Sequence, residues 1–214
     1  MAIDVFDKCA NVYQEKFMDL DLYHDSLDVF CKNIKKDNAD ILDVACGPGN
    51  ITHYLLKQRP NFKILGIDLS PKMIALAQKN NPQAEFQVMD CRNIAALNKV
   101  YDGIIGGFYL PYLSKEEAIE FIKNASKALT INGLIYISTM DDDYSQSGFK
   151  TSSSGDKMFI HYHQADYLTQ ALNTYGFNII DLRRQVYPSQ DDVQAIDLII
   201  IAEKYRRATP QYFT

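Results

Sequence analysis

The chain has 214 residues, a net charge of −5 and a pI near 5.3, with 47% hydrophobic and 23% charged residues. Those values describe a soluble globular chain with room for one α/β domain and a small cap. They exclude a nucleic-acid grip built on a broad basic surface, because little here would neutralise a run of phosphates. The start, "MAIDVFDKCANVYQ", has neither the layout of a secretion signal nor the Arg/Ser bias of a transit peptide. The most apolar run, residues 195–204 ("AIDLIIIAEK"), is too short to span a bilayer and carries Asp197. A cytoplasmic protein with no membrane and no nucleic-acid partner is therefore expected. Cys9, Cys31, Cys46 and Cys91 match no zinc or CxxC spacing, so free thiols and no metal site are expected.

In chain order, residues 1–36 read as amphipathic helices carrying Phe6, Tyr13, Phe17, Tyr23 and Phe30. They are expected to cap a domain formed by residues 37–214, as one structural unit with it. From Asp40 onward, apolar strand candidates at 40–45, 62–67, 85–89, 101–107 and 133–139 alternate with helical segments. Their near-continuous apolar character fits strands covered on both faces. Ser70 and Pro71 supply an N-cap and a first helical residue, and Ser114 and Glu117 have capping-box spacing. This alternation predicts a doubly wound parallel sheet. The polar stretch 141–157 reads as a loop, followed by a strand "MFIHYH" and a helix from Asp166 to about Thr174 ended by Gly176. Two long strands, about 177–186 and 195–204, are joined by "YPSQDD", which makes the last one antiparallel.

In an open parallel sheet, ligands sit at the carboxyl ends of the strands. Asp43 through Gly49 ("DVACGPG"), Asp68, Asp90-Cys91 and Gly106-Gly107 all fall there. A carboxylate such as Asp68, ending the second strand, can accept from both vicinal hydroxyls of a ribose, which implies a nucleoside cofactor. A dinucleotide would want G-x-G-x-x-G, yet the last position is Thr52, and Asp43 would tend to repel a pyrophosphate. A cofactor bearing an ammonium and a sulfonium fits these carboxylates better.

From about Ile41 to Thr139 the sequence resembles the class I S-adenosylmethionine-dependent methyltransferases. "LDVACGPG", "GIDLSPKMIALA", "QVMDC" and "YDGIIGGFYLPYL" are similar to that family's motifs, in order and at the expected intervals. Ala45 stands where a glycine is frequent, a change the turn tolerates if the φ of Ala45 is negative. "TINGL" stands where the family often has Pro-Gly-Gly. The resemblance implies a Rossmann-like, mostly parallel seven-stranded sheet with an antiparallel last strand and an N-terminal helical cap. It also implies S-adenosylmethionine as cofactor and S-adenosylhomocysteine as product. Gly47 and Gly49 would let the methionine portion lie on bare backbone, with Asp43 supporting the loop or the ammonium and Asp68 holding the ribose. Leu69 and Met73 would flank the adenine, Asp90 accept from its exocyclic amine, and the Cys91 N–H meet a ring nitrogen. Gly106 would sit beneath the sulfonium end. Cys46, within the turn, and Tyr13, from the cap, are counted with the cofactor contacts.

The candidates for a catalytic base are His161, His163, Tyr109 and Tyr112, with structural packing as the competing reading for each. His161 and His163 are expected on one face of a strand. The reading is a methyltransferase acting on a small-molecule acceptor. Its alternatives are a nicotinamide-dependent oxidoreductase on the same sheet and a non-catalytic binding protein for the cofactor.

Overall fold

A computed structural model of the chain describes residues 2–151, 155–188 and 195–206. Two helices lead, α1 (Ala2–Phe17) and α2 (His24–Asn33), separated by a short 3-10 turn at Asp21–Tyr23. The alternating part follows as β1 (Asp40–Val44), α3 (Asn50–Gln58), β2 (Lys63–Asp68), α4 (Pro71–Asn80) and β3 (Glu85–Val88). It continues through β4 (Tyr101–Gly106), α5 (Lys115–Ala128) and β5 (Leu129–Met140). After a small antiparallel hairpin, β6 (Gly148–Thr151) with β7 (Lys157–Ile160), come α6 (Ala165–Thr174), β8 (Phe177–Tyr187) and β9 (Ala195–Lys204). No described helix is long and apolar enough to cross a membrane.

The main sheet has seven strands in the order β3-β2-β1-β4-β5-β9-β8. All neighbouring pairs are parallel except those made by β9, which runs antiparallel to both β5 and β8. The chain builds outward from β1 to one edge, returns, and builds to the other edge from β4. The switch point, where such sheets open a crevice, therefore lies between β1 and β4.

The pleat sends alternate residues to opposite faces, and each face has its own core. Leu42, Val44, Ile104, Ile135 and Ile137 pack with Phe121 and Ile122 of α5 and Leu168 and Leu172 of α6. Ile41, Ile64, Ile105, Leu134 and Tyr136 pack on the other side with Leu27 and Phe30 of α2 and Leu55 of α3. Ser114 and Glu117 form the capping box at the start of α5, and the Ser70 Oγ accepts from the Met73 N–H at 3.1 Å at the start of α4.

Four features depart from expectation. β3 is an edge strand whose residues are largely exposed, so it is not covered on both faces. β5 begins at Leu129, with a register shift against β4 and Asn132 at a φ of +64° accommodating the "ING" kink. The 141–157 stretch contains a 3-10 turn at Tyr144–Gln146 and the strand β6. Finally, the "MFIHYH" strand ends at Ile160: the His161 N–H turns to the Pro111 carbonyl (2.8 Å) and the His163 N–H to that of Met140 (3.2 Å). The two histidines thus follow the strand instead of sharing its face. Most of the "YPSQDD" connection, from residue 189, lies outside the described residues.

Phe30 holds α2 to the sheet. It is fully buried, and its ring tip would stand 2.7 Å from a Cβ placed on Gly103, so strand and helix meet there only because position 103 is bare. Replacing Phe30 by Ala is expected to cost about 3–5 kcal/mol, the range for emptying a buried aromatic site. Urea unfolding would measure it, and a loss under about 1 kcal/mol would mean that α2 is held by other contacts.

Candidate functional site

The turn after β1 takes Ala45, Gly47 and Gly49 through positive φ (+51°, +53° and +81°). Ala45 therefore does not have the negative φ that its tolerance was expected to rest on. It bears left-handed strain of about 1–2 kcal/mol, held in place by neighbouring bonds. Those bonds run from the Cys46 N–H to the Ile67 carbonyl and from the Gly49 N–H to the Cys46 carbonyl, each at 2.9 Å. The amides of Asn80 and Asn81, at the end of α4, donate to the carbonyls of Pro48 (2.8 Å) and Gly49 (2.9 Å).

Two carboxyl groups support this turn in different ways. Asp68 reaches up from β2: Oδ2 accepts the Gly47 N–H at 2.9 Å and Oδ1 accepts the Ser70 N–H at 2.8 Å. Burial raises its pKa, only partly offset by these backbone donors, and with one of these donors on each oxygen the carboxylate has further acceptor capacity. Asp43 lies beneath the turn, fully buried, with Oδ2 accepting from Thr52 Oγ1 at 2.6 Å and Oδ1 without a partner among the described residues. Burial pushes its carboxyl up to about 7. Thr52, where a dinucleotide site would carry its third glycine, is thereby bonded into the support of the turn.

Above these strand ends is a cavity of about 410 Å³. One wall is the turn itself (Ala45, Gly47), and a second is Asp68, Leu69, Ser70 and Met73. Met89 through Arg92 form a third, and residues 107–109 with Tyr112 and Leu113 a fourth. The roof is α1, through Ile3, Phe6 and Tyr13. That helix is tied down by Asp7, whose carboxylate accepts from the Ser70 hydroxyl, and by Gln14, which accepts from Asn80 at 2.8 Å.

The structure thus brings Tyr13, Gly47, Asp68, Leu69, Met73, Asp90, Cys91, Tyr109 and Tyr112 to one cavity. Asp43, Cys46, Gly49 and Gly106 do not line it. Cys46 is buried against α4, its thiol pushed up by burial, and Gly49 opens α3. Gly106 lies beneath the Tyr109 ring, where a Cβ would come within 2.5 Å of Cε1. Both histidines lie elsewhere. His163 is fully buried, its ring bonded to the Leu110 carbonyl (2.8 Å) and to the Tyr167 hydroxyl. His161 has Nδ1 at 3.2 Å from the Tyr144 hydroxyl. Burial lowers the pKa of both.

Several wall residues escaped sequence reasoning: Ile3, Met89, Arg92, Phe108 and Leu113. Arg92 had a usable signal, since a base two residues after a strand-ending Asp can pair with it. Phe108 had none. It has a φ of +56°, its N–H bonds Ser138 Oγ at 3.1 Å, and its ring lies 5.3 Å from that of Tyr23. With Gly107, it also lines a second, apolar hollow of about 30 Å³ shared with Leu20, Leu27 and Tyr136.

Comparison with known proteins agrees with this fold. Residues 41–133 match the family model described as a methyltransferase domain. A trans-aconitate 2-methyltransferase from Variovorax paradoxus is 32% identical over 49% of this chain and 39% of its own length. A tRNA N(3)-methylcytidine methyltransferase from Schizosaccharomyces pombe is 25% identical over 67% of this chain and 66% of its own. The chain spans less than two thirds of the length of either relative. Among solved structures, an S-adenosylmethionine-dependent methyltransferase from Clostridium acetobutylicum superposes with a TM-score of 0.71 at 17% identity, covering 94% of this chain and all (100%) of that one. This likeness shows the fold.

The state of Asp43 sets a pH dependence. Its carboxyl titrates near 7 in the fold and at about 3.9 in an unfolded chain. Between those values the native state holds the extra proton, so stability falls as pH rises through that window, by roughly 1 kcal/mol per pH unit. Asp43→Asn removes the titration and is expected to flatten the slope in urea unfolding followed from about pH 4 to about pH 8. A variant that keeps the wild-type slope would assign the dependence to other groups.

Proposed function

We propose that this chain, which carries a class I S-adenosylmethionine-dependent methyltransferase domain, transfers a methyl group from S-adenosylmethionine to a small-molecule acceptor, releasing S-adenosylhomocysteine. One observation carries the reading: a carboxylate ending β2 and a bare turn after β1 line the same cavity, whose roof and far wall are aromatic.

The residues present fit that cofactor. A Cβ on Gly47 would stand 3.8 Å from the Tyr13 ring, between two walls of the cavity, so the missing side chain leaves room for a ligand. Asp68 has spare acceptor sites for ribose hydroxyls, and hydroxyl donors would compensate its burial. Leu69, Met73 and Met89 offer apolar surface to a purine, and Asp90 an acceptor at its edge. The bonding of Thr52 to Asp43 supports this cofactor over a dinucleotide. When bound, S-adenosylmethionine supplies a methyl group already activated on a sulfonium.

The acceptor lies between α1 and the segment following β4, where Phe6, Tyr13, Phe108 and Tyr112 exclude water. Phe6 packs edge-on against Tyr112 (ring centroids 5.2 Å apart) and Tyr13 (6.1 Å), which fixes the shape of that end. Among the described residues, no histidine or lysine lines it. Burial raises the pKa of Tyr13 and pushes that of Tyr112 up to about 12, so both phenols keep their protons at neutral pH and serve as hydrogen-bond donors. The protein's share of the reaction is alignment and desolvation. The acceptor therefore brings a nucleophile that needs no protein base, and a flat, largely apolar molecule suits the aromatic walls.

Wild-type protein is expected to bind S-adenosylhomocysteine in titration calorimetry, and Asp68→Ala to weaken that binding by roughly 2–3 kcal/mol. Unchanged affinity in a folded variant would remove Asp68 from the site. Transfer of labelled methyl from S-adenosylmethionine to a fractionated metabolite mixture tests the activity, and tight binding without transfer to any fraction would favour a non-catalytic binding protein.

A further inference from the structure

The carboxylate at the purine end of the cavity is held by its neighbour. The Arg92 Nε lies 3.0 Å from both oxygens of Asp90, Nη2 lies 2.5 Å from Oδ2, and the Arg92 backbone N–H donates to Oδ1 at 2.9 Å. The remaining terminal nitrogen, Nη1, donates to Glu117 Oε1 at 3.0 Å. Glu117 is itself fixed, with Oε2 accepting the Ser114 N–H at 2.8 Å and its own N–H bonded to Ser114 Oγ at 3.2 Å. A line of charge-assisted bonds therefore runs from the first turn of α5 to the cavity wall. Both carboxyl groups are held below their usual range, Asp90 chiefly by the Arg92 side chain and Glu117 chiefly by the Ser114 N–H.

We propose that Arg92 is a positioning residue for nucleobase recognition, clamping Asp90 to the start of α5 so that the site accepts a 6-amino purine and rejects a 6-oxo purine. This rests on the cofactor reading above. A carboxylate held by three N–H groups of one residue is hindered from swinging away, and Asp90 lines the cavity. An exocyclic amine would donate to it. A 6-oxo group presents one acceptor to another, and a polar site left unpaired in this way discriminates strongly. An unclamped Asp90 could rotate into water, and selectivity would fall with it. Lysine replaces the clamp only in part, because a point charge lacks the planar fork that spans two carboxylates.

The test is titration calorimetry with S-adenosylhomocysteine and S-inosylhomocysteine, which differ at that position of the purine. Wild-type protein should prefer the adenosyl ligand by about a hundredfold or more. Arg92→Ala should weaken the adenosyl ligand about tenfold and leave the inosyl ligand within about twofold, with Arg92→Lys intermediate. In an Asp90→Ala background, Arg92→Ala should bring no further loss, because the two act as one unit. Thermal unfolding of each variant checks the fold, and Arg92→Lys carries the test if Arg92→Ala does not fold. Equal losses for both ligands, a wild type that does not discriminate, or a further loss in the Asp90→Ala background would overturn the proposal. Wild-type protein that binds neither ligand would remove the cofactor reading and this proposal together; binding with unchanged discrimination in the Arg92 variants would remove this proposal alone.

Discussion

The Asp68 carboxylate, accepting the Gly47 N–H with one oxygen and the Ser70 N–H with the other, ties the turn after β1 to the first turn of α4. Most of the site follows from that bridge. The turn could take other shapes, since three of its five residues have positive φ, and the bridge selects the one that presents bare backbone to the cavity. The same oxygen that orders Ser70 leaves its hydroxyl free to meet Asp7, and through Asp7 the roof helix is held over the strand ends. Remove the carboxylate and the floor, one wall and the roof lose their common point of attachment.

The site is built from carboxyl groups at three depths, and depth decides what each one does. Asp43 is sealed beneath the turn, bonds one hydroxyl and carries an uncompensated oxygen. Asp68 is at the cavity wall with two backbone donors and room for more. Asp90 is nearest the surface, paired with a guanidinium and kept ionised. Desolvation raises the first two and the ion pair lowers the third, so one residue type supplies a sealed strut, a carboxylate at the cavity wall and a paired, ionised carboxylate.

Much of this was legible in the sequence because it depends on local rules. The strand ends, the Gly47–Gly49 turn, the Ser70 cap and the Ser114/Glu117 box each follow from a few neighbouring residues, and regular alternation then dictates the parallel topology. What was not legible depends on distance in the chain or on tertiary override. The union of Glu117 with Arg92 spans 25 residues and has no periodic signature. The alternation in "MFIHYH" promised a longer strand, but the backbone of His161 and His163 finds partners in Pro111 and Met140 instead. Ala45 adopts a conformation that its side chain disfavours because neighbouring bonds over-determine it. The apolar look of "EFQVM" concealed an edge strand, since composition does not say which strand ends the sheet.

Phe108 carries a consequence of its own. With Gly107, it borders both the large cavity and the small hollow lined by Leu20, Leu27 and Tyr136. The residues best suited to its left-handed backbone are glycine and asparagine, both smaller than phenylalanine. At this position, relaxing the main chain and thinning the border of both spaces are the same change.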